Sequence, residues 1–307
     1  MKFGSYTVSA IETGTFGLDG GAMFGIVPKT IWNRTNPSDE LNRIDMHLRA
    51  MLIQSKDRNI LVDCGIGSKW ADKYAEIYKI DHSKMSLDQS LKKKGLEPKD
   101  ITDIIATHLH FDHVGGLTYR EDPRDLKSSL LPKFPNAKIW IQKLNWELAW
   151  SPNEKDQASY LSENFGIYRD STELKNKLEF IDTPTVVPDG RESYKGPSLK
   201  YQEIIPGIEV MISNGHTLGM QIVRIHDENQ PIYYCADLIP TSSHVRTNFI
   251  MGYDCYPMFI MAEKRLFLEK VLKENGALFY EHCPYYAAST IKINEKGQTV
   301  ADKKIEL

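Results

Sequence analysis

The sequence lacks the features that mark several large classes of protein. Its four cysteines stand far apart with no C-x-x-C pair, so they fit neither a disulfide framework nor a zinc ribbon. No stretch approaches the ~20 consecutive apolar residues that a membrane helix needs, and the N-terminal residues contain no continuous apolar signal-peptide core. These absences predict reduced thiols and a cytoplasmic protein that does not enter a membrane.

An excess of charge of one sign is also missing. The formal net charge is -3, from 38 basic and 41 acidic residues spread along the chain, so no surface for nucleic acid or for an anionic membrane is indicated. Two catalytic motifs are absent as well, the G-x-S-x-G turn and the G-x-x-x-x-G-K-[ST] phosphate loop. Covalent serine chemistry and P-loop phosphate handling are therefore disfavoured.

Short apolar runs that alternate with polar turns and a few helices fill most of the chain. The 307 residues, 41% of them hydrophobic, can bury a large core, and no internal repeat is visible, so we predict a single domain over 1–307. Residues 151–200 are polar and contain four prolines, which predicts a long excursion from that domain. The predicted strands include 101–107, 137–142, 208–213, 220–226 and 232–237, and helices are predicted after Ser86 and over 262–276.

The most informative stretch is 104–116, "IIATHLHFDHVGG", in which an apolar strand ends in three histidines and an aspartate. In a loop at a strand end, His108 and His110 point the same way and can hold one cation. Asp112 and His113 are displaced by the turn and face a second position. The two glycines that follow allow the close backbone approach that such a turn demands.

A site for two metal ions needs more ligands than one loop can supply. Three later positions qualify: His216 in "SNGHTLG" (213–219), Asp237 in "YYCADLIP" and His282 in "LFYEHCP". Each stands at the end of a predicted strand and before a turn. All three can therefore converge on one edge of a sheet.

At this point the sequence resembles the metallo-β-lactamase-fold hydrolases, whose H-x-H-x-D-H motif stands here as "HLHFDH" (108–113). The resemblance extends to "LVDCG" (61–65), to "GHTLG" (215–219) and to the later Asp and His, and it is greatest for the lactonase and organophosphate-hydrolase branch. It implies an α/β fold, an αββα sandwich of two mixed β-sheets flanked by helices. It also implies two divalent metal ions, with zinc as the first choice and iron, manganese or cobalt as alternatives.

The same resemblance implies a role for each candidate residue. On chemical grounds, Asp112 could in addition be catalytic, because a carboxylate near the nucleophile can move a proton. Asp63 would orient ligands from behind, although a strand-end cap explains that aspartate equally well. The implied ligands are His108, His110 and His216 for the first metal, Asp112, His113 and His282 for the second, and Asp237 as the bridge between them.

The expected activity is hydrolysis of a small molecule by a hydroxide that bridges two metals roughly 3.5–4 Å apart. The expected substrate is a lactone, a carboxylic ester or a phosphotriester. Alternatives are thioester hydrolysis of the glyoxalase II type, β-lactam opening, or iron-dependent redox chemistry on the same fold. Two positions depart from the family pattern. Pro240 replaces a tyrosine common in acyl-homoserine lactonases, and Cys283 follows the last ligand where an acidic residue is common.

Apolar and aromatic residues in two glycine-broken stretches and inside the motif are candidates for the wall of a substrate pocket. Core packing explains most of them equally well, and Phe111, between the ligands, is the best candidate to face the site. The sequence does not indicate an oligomeric state. The candidate pocket residues are Met23, Phe24, Val27, Phe111, Met251 and Tyr253.

Overall fold

The computed structural model describes residues 1–188 and 199–307. The chain divides into two compact units, which are described separately. Unit 1 consists of Met1–Ser5, Gly17–Met46 and Thr183–Leu307, and unit 2 consists of Tyr6–Phe16 and His47–Asp182. The predicted excursion over 151–200 lies partly outside the described residues, because 189–198 are not described.

The strands are short except for two long ones near the N-terminus. In chain order they are β1 (Lys2–Phe3), β2 (Tyr6–Asp19), β3 (Arg43–Gln54), β4 (Asn59–Val62), β5 (Asp103–Ile105), β6 (Thr118–Arg120), β7 (Leu130–Pro132), β8 (Lys138–Gln142), β9 (Leu178–Ile181), β10 (Tyr201–Ile205), β11 (Ile208–Ser213), β12 (Met220–Ile225), β13 (Ile232–Tyr234), β14 (Ala277–Phe279), β15 (Ala288–Ile293) and β16 (Thr299–Ile305).

Most helices of the described residues are one or two turns long. None of the described helices combines the length and the apolar character that crossing a membrane requires. The helices are α1 (Gly20–Phe24), α2 (Lys29–Trp32), α3 (Asp72–Ile77), α4 (Leu87–Lys93), α5 (Phe111–Val114), α6 (Lys143–Leu148), α7 (Ile167–Asp170), α8 (Thr172–Lys175) and α9 (Pro257–Lys273).

Two mixed sheets carry the fold, as expected from the sequence. One has seven strands in the order β1-β2-β3-β4-β5-β8-β9, and within it β4, β5, β8 and β9 run parallel. The pairing of Val62 with Ile105 aligns the carboxyl ends of β4 and β5. Because parallel neighbours end at the same edge of a sheet, the residues that follow these two strands lie side by side.

The second sheet also has seven strands, β10 to β16 in sequence order. All its pairs are antiparallel except β13 with β14, where Tyr234 pairs with Phe279. The turns after β13 and β14 therefore emerge at one edge, as the turns after β4 and β5 do in the first sheet.

Two helices show how well local signals set the boundaries. In α4 the Ser86 side chain accepts a hydrogen bond from the backbone N–H of Gln89, and Gly95 after the helix has a φ of 75°, as the capping pattern predicts. By contrast, α9 begins at Pro257 rather than at residue 262. Proline fits the first turn because the missing N–H has no partner there in any case.

The core of unit 2 includes part of the predicted excursion. Tyr160, Phe165 and Tyr168 are buried in the same cluster as Leu109 and Val114 of the histidine motif. The described residues after 151 include short helical turns and strand β9, and part of this segment packs into the core. The excursion therefore supplies core to unit 2.

In unit 1, an aromatic cluster surrounds a buried histidine. The rings of Phe24 and His244 stack with centroids 4.5 Å apart. Trp32 stacks on Phe24 with a centroid distance of 5.5 Å, and Phe249 packs edge-on against Phe24. His244 places Nδ1 2.7 Å from Thr241 Oγ1 and Nε2 2.8 Å from a backbone carbonyl. Burial, and then the nearby Lys264, lower the pKa of His244 to about 3.

The depressed pKa of His244 predicts a specific loss of stability in acid. In the unfolded chain a histidine has a pKa near 6.5, so the unfolded state takes up a proton as the pH falls from about 6.5 towards 3, and the folded state does not. We expect the unfolding free energy of the wild type, measured in urea, to fall relative to His244→Gln by up to about 1.4 kcal/mol per pH unit in this window. Parallel curves for the two proteins would contradict this.

Candidate metal centre

The loop after β5 carries the histidine motif, and the side chains of the motif are buried within unit 2. His108 and His113 are fully buried, and His110 and Asp112 are only 5% and 8% exposed. The chain leaves β5 at Ile105, and α5 (Phe111–Val114) turns it back so that Asp112 and His113 follow the first two histidines in one tight turn. We refer to His108, His110, Asp112 and His113 as the unit 2 ligand group.

Asp63, at the end of the neighbouring strand β4, holds this loop from behind. Its Oδ1 accepts the backbone N–H of Thr107 at 2.7 Å, and its Oδ2 accepts the Thr107 hydroxyl at 2.7 Å. The same Oδ2 lies 3.0 Å from Nδ1 of His113, and the Thr107 hydroxyl lies 3.0 Å from Nδ1 of His108. This carboxylate therefore caps the strand end and contacts one ring of the motif, and its orienting role toward a metal ligand stays a prediction.

The unit 2 ligand group is compact enough to bind cations. His108 and His110 each offer a ring nitrogen within 4.8 Å of the other, and Asp112 and His113 do the same with a carboxylate oxygen and a ring nitrogen. The ring centroids of His108 and His113 are 4.0 Å apart. Histidines crowded this closely in a buried loop are arranged as metal ligands commonly are.

The glycine pair after the motif lets the loop pack directly on the backbone that follows β4. A Cβ on Gly115 would lie 2.1 Å from the Ile66 carbonyl oxygen, and one on Gly116 would lie 2.3 Å from the Cys64 carbonyl oxygen. The buried Lys69 donates to the carbonyls of Gly115 and Thr118. Burial lowers the pKa of Lys69 to about 8. The turn is therefore fixed by backbone contact and by this ammonium group.

Gly115→Ala is expected to lower the unfolding free energy by about 1–3 kcal/mol, the usual cost of overpacking. The new methyl group would meet backbone atoms of Ile66, which cannot rotate away as a side chain can. Chemical denaturation of the purified variant measures the change. An unfolding midpoint equal to that of the wild type would contradict the close approach.

In unit 1 the second ligand group, His216, Asp237 and His282, is also buried. Nε2 of His216 lies 3.1 Å from Asp237 Oδ2, and Nδ1 of the same ring lies 2.9 Å from Asp254 Oδ1. Although burial alone would lower it, the pKa of His216 is raised to about 10, because Asp237 and Asp254 flank the ring. The surroundings of His216 therefore favour the protonated, positively charged form of its ring.

A buried glutamate on α9 positions the loop that carries His216. Glu263 accepts hydrogen bonds from the Ser213 hydroxyl at 2.7 Å and from the backbone N–H groups of Asn214 and Gly215 at 2.7 and 3.0 Å. Despite these three donors, burial raises the pKa of Glu263 to about 7. A Cβ on Gly215 would lie 2.4 Å from the Cα of Ile260, so only glycine lets the loop approach the helix this closely.

Asp237 and His282 follow the two parallel strands of the second sheet. His282 Nε2 lies 3.5 Å from Asp237 Oδ1, and the His282 backbone N–H donates to the carbonyl of Pro240 at 3.0 Å. Ala236, just before the aspartate, has a φ of 45°, a conformation that L-residues rarely adopt and that often marks a functional turn. The backbone of Pro240 thus holds the backbone of His282 in place.

Cys283, beside the last ligand, is fully buried. Its Sγ lies 3.2 Å from the hydroxyl oxygen of Ser242. Its side chain therefore belongs to the packed interior of unit 1.

Two carboxylates that the sequence interpretation missed lie against ligand histidines. Asp254 holds Nδ1 of His216 and also accepts the backbone N–H of Met251 at 2.8 Å. Asp156, from the polar excursion, places Oδ1 2.9 Å from Nε2 of His110. Neither aspartate belongs to a recognisable sequence motif, so nothing in the local sequence marks it.

Of the predicted pocket residues, Phe111 lies in an aromatic cluster of unit 2. Its ring centroid is 5.2 Å from that of Trp70 and 5.4 Å from that of Tyr78. Burial and then the charge of Asp112 raise the pKa of Tyr78, which places this phenol in the field of a motif carboxylate. This cluster is therefore an apolar wall with a polar edge, beside the motif.

The other pocket candidates lie in unit 1. Tyr253 is 38% exposed, whereas Phe24 is fully buried in the aromatic cluster around His244. Met23, Val27 and Met251 are between 2% and 7% exposed. That they line a pocket stays a prediction.

The donor set of each ligand group fits divalent metal ions. Imidazole nitrogens and carboxylate oxygens are ligands that zinc accepts readily. Ligand histidines typically have their other ring nitrogen held by a carboxylate. His113 and His216 have this arrangement through Asp63 and Asp254.

Comparison with known proteins shows what the chain is similar to. Residues 49–124 match the Metallo-beta-lactamase superfamily. An N-acyl homoserine lactonase of a Bacillus species is 28% identical over 198 residues, which are 62% of this chain and 60% of that protein. The match thus spans about 60% of the length of that curated relative.

Solved structures resemble the chain over nearly its whole length. A probable metal-dependent hydrolase from Staphylococcus aureus is 27% identical with a TM-score of 0.80, covering 99% of this chain and 100% of that one. AidC, a dizinc quorum-quenching lactonase solved with a product, is 20% identical with a TM-score of 0.74 and covers 100% and 97%. Together with the two mixed sheets, these likenesses confirm the predicted metallo-β-lactamase fold.

Proposed function

We propose that the chain is a dinuclear metal-dependent hydrolase of lactones, because residues 49–124 match the Metallo-beta-lactamase superfamily. The observation that carries the proposal is the unit 2 ligand group, four buried side chains of one motif, two of which, His108 and His113, contact Thr107 and Asp63 through Nδ1. The matched relatives named N-acyl homoserine lactonases favour a lactone over the other members of the ester class.

The proposed ligands are the residues that the resemblance implies, with zinc as the first candidate for both ions. When bound, the two ions would supply Lewis acidity for a carbonyl oxygen and would lower the pKa of a water molecule towards neutrality. Asp63 and Asp254 would keep the rings of His113 and His216 in place. The proposed set is His108, His110 and His216 for one ion, Asp112, His113 and His282 for the other, and Asp237 for both.

Asp112 is the proposed proton carrier of the reaction. Its carboxylate is 11% exposed and lies 3.9 Å from Nε2 of His113, so it can reach a bound substrate as well as a ligand. Its charge also contributes, after burial, to raising the pKa of the Tyr78 phenol, which is protonated at neutral pH. A buried carboxylate beside a neutral hydroxyl can take a proton from water and deliver it to a leaving alkoxide.

The aromatic cluster of Trp70, Tyr78 and Phe111 is the proposed contact for the apolar part of the substrate. Its three rings meet at centroid distances between 5.2 and 5.5 Å. Because this wall is apolar and stands next to the motif, it favours an acyl chain or an aryl group over a charged substituent.

A substrate panel on metal-loaded protein tests the proposal. The purified chain is stripped with a chelator, reloaded with zinc, and assayed on an N-acyl homoserine lactone, an aryl ester, a thioester, a β-lactam and a phosphotriester. We expect the lactone to have the highest kcat/KM and the stripped protein to be inactive. Selective thioester cleavage would replace the lactone by a glyoxalase II-like substrate, and inactivity on the whole panel would contradict hydrolysis.

A further inference from the structure

A cavity of about 140 Å³ lies in unit 2 beside the turn that follows the histidine motif. Cys64, Gly67 and Gly116 contribute to its walls, and none of the proposed metal ligands, all of which are among the described residues, lines it. A cavity of this volume has room for an apolar group about the size of benzene. It can therefore hold part of a small molecule without using the candidate metal centre.

The walls of this cavity are held by contacts that need no ligand. His82 places Nδ1 3.0 Å from the carbonyl oxygen of Thr13 and Nε2 3.0 Å from the carbonyl oxygen of Gly67. The backbone N–H of Gly116 donates to the carbonyl of Gly65 at 3.0 Å. The cavity is therefore preformed, and a ligand would not pay for ordering its walls when it binds.

A wider groove of about 660 Å³ adjoins the cavity in unit 2. Asp88, Tyr119 and Lys133 line both the cavity and the groove, so the two adjoin at these side chains. Beyond this junction the groove is lined by Leu96 and Leu131 and by three prolines, among other residues. A carbon chain that begins in the cavity can therefore continue along apolar side chains of the groove.

The junction carries an ion pair that a ligand can rearrange. Nζ of Lys133 lies 2.6 Å from Oδ1 of Asp88 and 5.7 Å from the centroid of the Tyr119 ring. The Asp88 side chain is 60% exposed, and exposed ion pairs contribute little to stability. A carboxylate of a ligand can therefore replace Asp88 beside this ammonium group at little cost.

The charges of the groove favour a ligand with one negative charge. Its lining has three lysines, at 92, 99 and 133, against the carboxylates of Asp88 and Glu97. Lys99 is paired with Glu97 at 2.6 Å, and Lys133 is paired with Asp88, whereas Lys92 forms no ion pair with another described residue. One ammonium group of the groove is thus left to attract an anion.

The unpaired lysine lies within reach of the junction. Asp88 and Lys92 are four residues apart on α4 (Leu87–Lys93), so their Cβ atoms are about 5–6 Å apart on one face of the helix. A chain of a few carbon atoms beyond the junction is therefore long enough to bring a head group to Lys92.

We propose that the cavity and the groove form a second binding site, which takes a monoanionic amphiphile, a carboxylate joined to an acyl chain. The end of the acyl chain occupies the cavity, and the carboxylate lies in the groove near Lys92. The site does not depend on the proposed function. The ring-opened product of an acyl lactone belongs to the same chemical class, and only this link rests on the proposed function.

Calorimetric titration of the metal-free full chain with octanoate tests the site, at about 0.15 M salt so that distant charges are screened. Metal-free protein leaves the carboxylate no metal ion to bind. We expect one octanoate per chain with a Kd of about 1 mM or below, which about ten non-hydrogen atoms can reach. Octan-1-ol and acetate each lack one half of the ligand and should bind at least about 3-fold more weakly. No binding of octanoate, or equal binding of either fragment, would overturn the proposal.

Two variants locate the bound octanoate. Ser68→Trp places a large ring at an exposed position of the cavity lining and should abolish binding. Lys92→Glu reverses the unpaired charge and should weaken binding at least about 3-fold. Lys93→Glu makes the same exchange at an exposed lysine of α4 outside the groove lining and should bind as the wild type does. Wild-type affinity in Ser68→Trp, or equal losses in Lys92→Glu and Lys93→Glu, would contradict the site.

A further variant separates this site from the proposed substrate contact. Tyr78→Ala alters the aromatic cluster beside the motif and should leave octanoate binding unchanged. If Tyr78→Ala loses octanoate and Ser68→Trp retains it, the ligand lies in the aromatic cluster and the second site is rejected. Should Ser68→Trp not fold, Lys92→Glu and Lys93→Glu decide the outcome. Failure of the substrate panel would reject the proposed function alone, because these titrations involve neither metal nor turnover.

Discussion

Asp237→Ala is expected to leave a folded protein that retains little metal and hydrolyses a lactone at least about 10³-fold more slowly. In unit 1 the Asp237 carboxylate lies between two rings, 3.1 Å from Nε2 of His216 and 3.5 Å from Nε2 of His282. Without it, the two imidazoles lose the only negative charge that the proposed ligand set supplies at that position. Elemental analysis and kcat/KM, measured on the same sample, give both parts of the result.

The control for this variant is Glu228→Ala, which removes an exposed carboxylate of unit 1 from the turn between β12 and β13. It should keep the metal content and the turnover of the wild type. Circular dichroism of both variants shows that the fold is retained. Full turnover by Asp237→Ala would contradict its role as a ligand.

Asp63→Ala is expected to lower the unfolding free energy by about 3–5 kcal/mol, the cost of leaving buried polar partners without their acceptor. The fully buried carboxylate accepts the backbone N–H and the hydroxyl of Thr107 and faces Nδ1 of His113. Asp63 also has a φ of 56°, which a small polar residue tolerates better than most. Urea denaturation of metal-free protein isolates this effect from any contribution of bound metal.

Thr107→Val is the matched control, since it removes the hydroxyl and keeps the backbone N–H and the shape of the side chain. We expect it to cost about 1–2 kcal/mol, less than Asp63→Ala, because only the hydroxyl contacts of the network are lost. A cost for Asp63→Ala equal to that of Thr107→Val would mean that neither the backbone cap nor the contact with His113 contributes to stability.

Local sequence signals were sufficient for strands that are short, apolar and bounded by turns. The predicted 208–213 coincides with β11 (Ile208–Ser213), and 137–142 differs from β8 (Lys138–Gln142) by one residue. These runs are buried over most of their length, so a continuous apolar stretch is enough to reveal them. Capping residues fixed α4 in the same way.

The long strand β2 (Tyr6–Asp19) and the C-terminal pair β15 and β16 had no such signal. In β2 the buried and exposed positions follow no simple alternation, and Gly14 and Gly17 interrupt the run, so the two-residue period of a strand is hidden. In β16 three of the seven residues are charged and none is buried. Their pairing with neighbouring strands, and not their own composition, makes them strands.

The residues of the candidate site also divide into those that have a sequence signal and those that have none. The motif side chains could be proposed as ligands because three histidines and an aspartate stand at fixed spacing in one loop. His216, Asp237 and His282 could be proposed because each follows a predicted strand. Asp156 and Asp254 have no spacing signal, and each lies beside one ring only through the tertiary fold. Such partners become visible only once the chain is folded.

The most direct test of the central claim is a titration of metal-free protein with zinc, in which lactone hydrolysis and bound zinc are followed together. We predict that activity rises until two equivalents are bound per chain and then stays constant, and that His110→Ala and Asp237→Ala never reach this plateau. Full activity in the metal-free protein, or no activity with two equivalents bound, would contradict a dinuclear hydrolase.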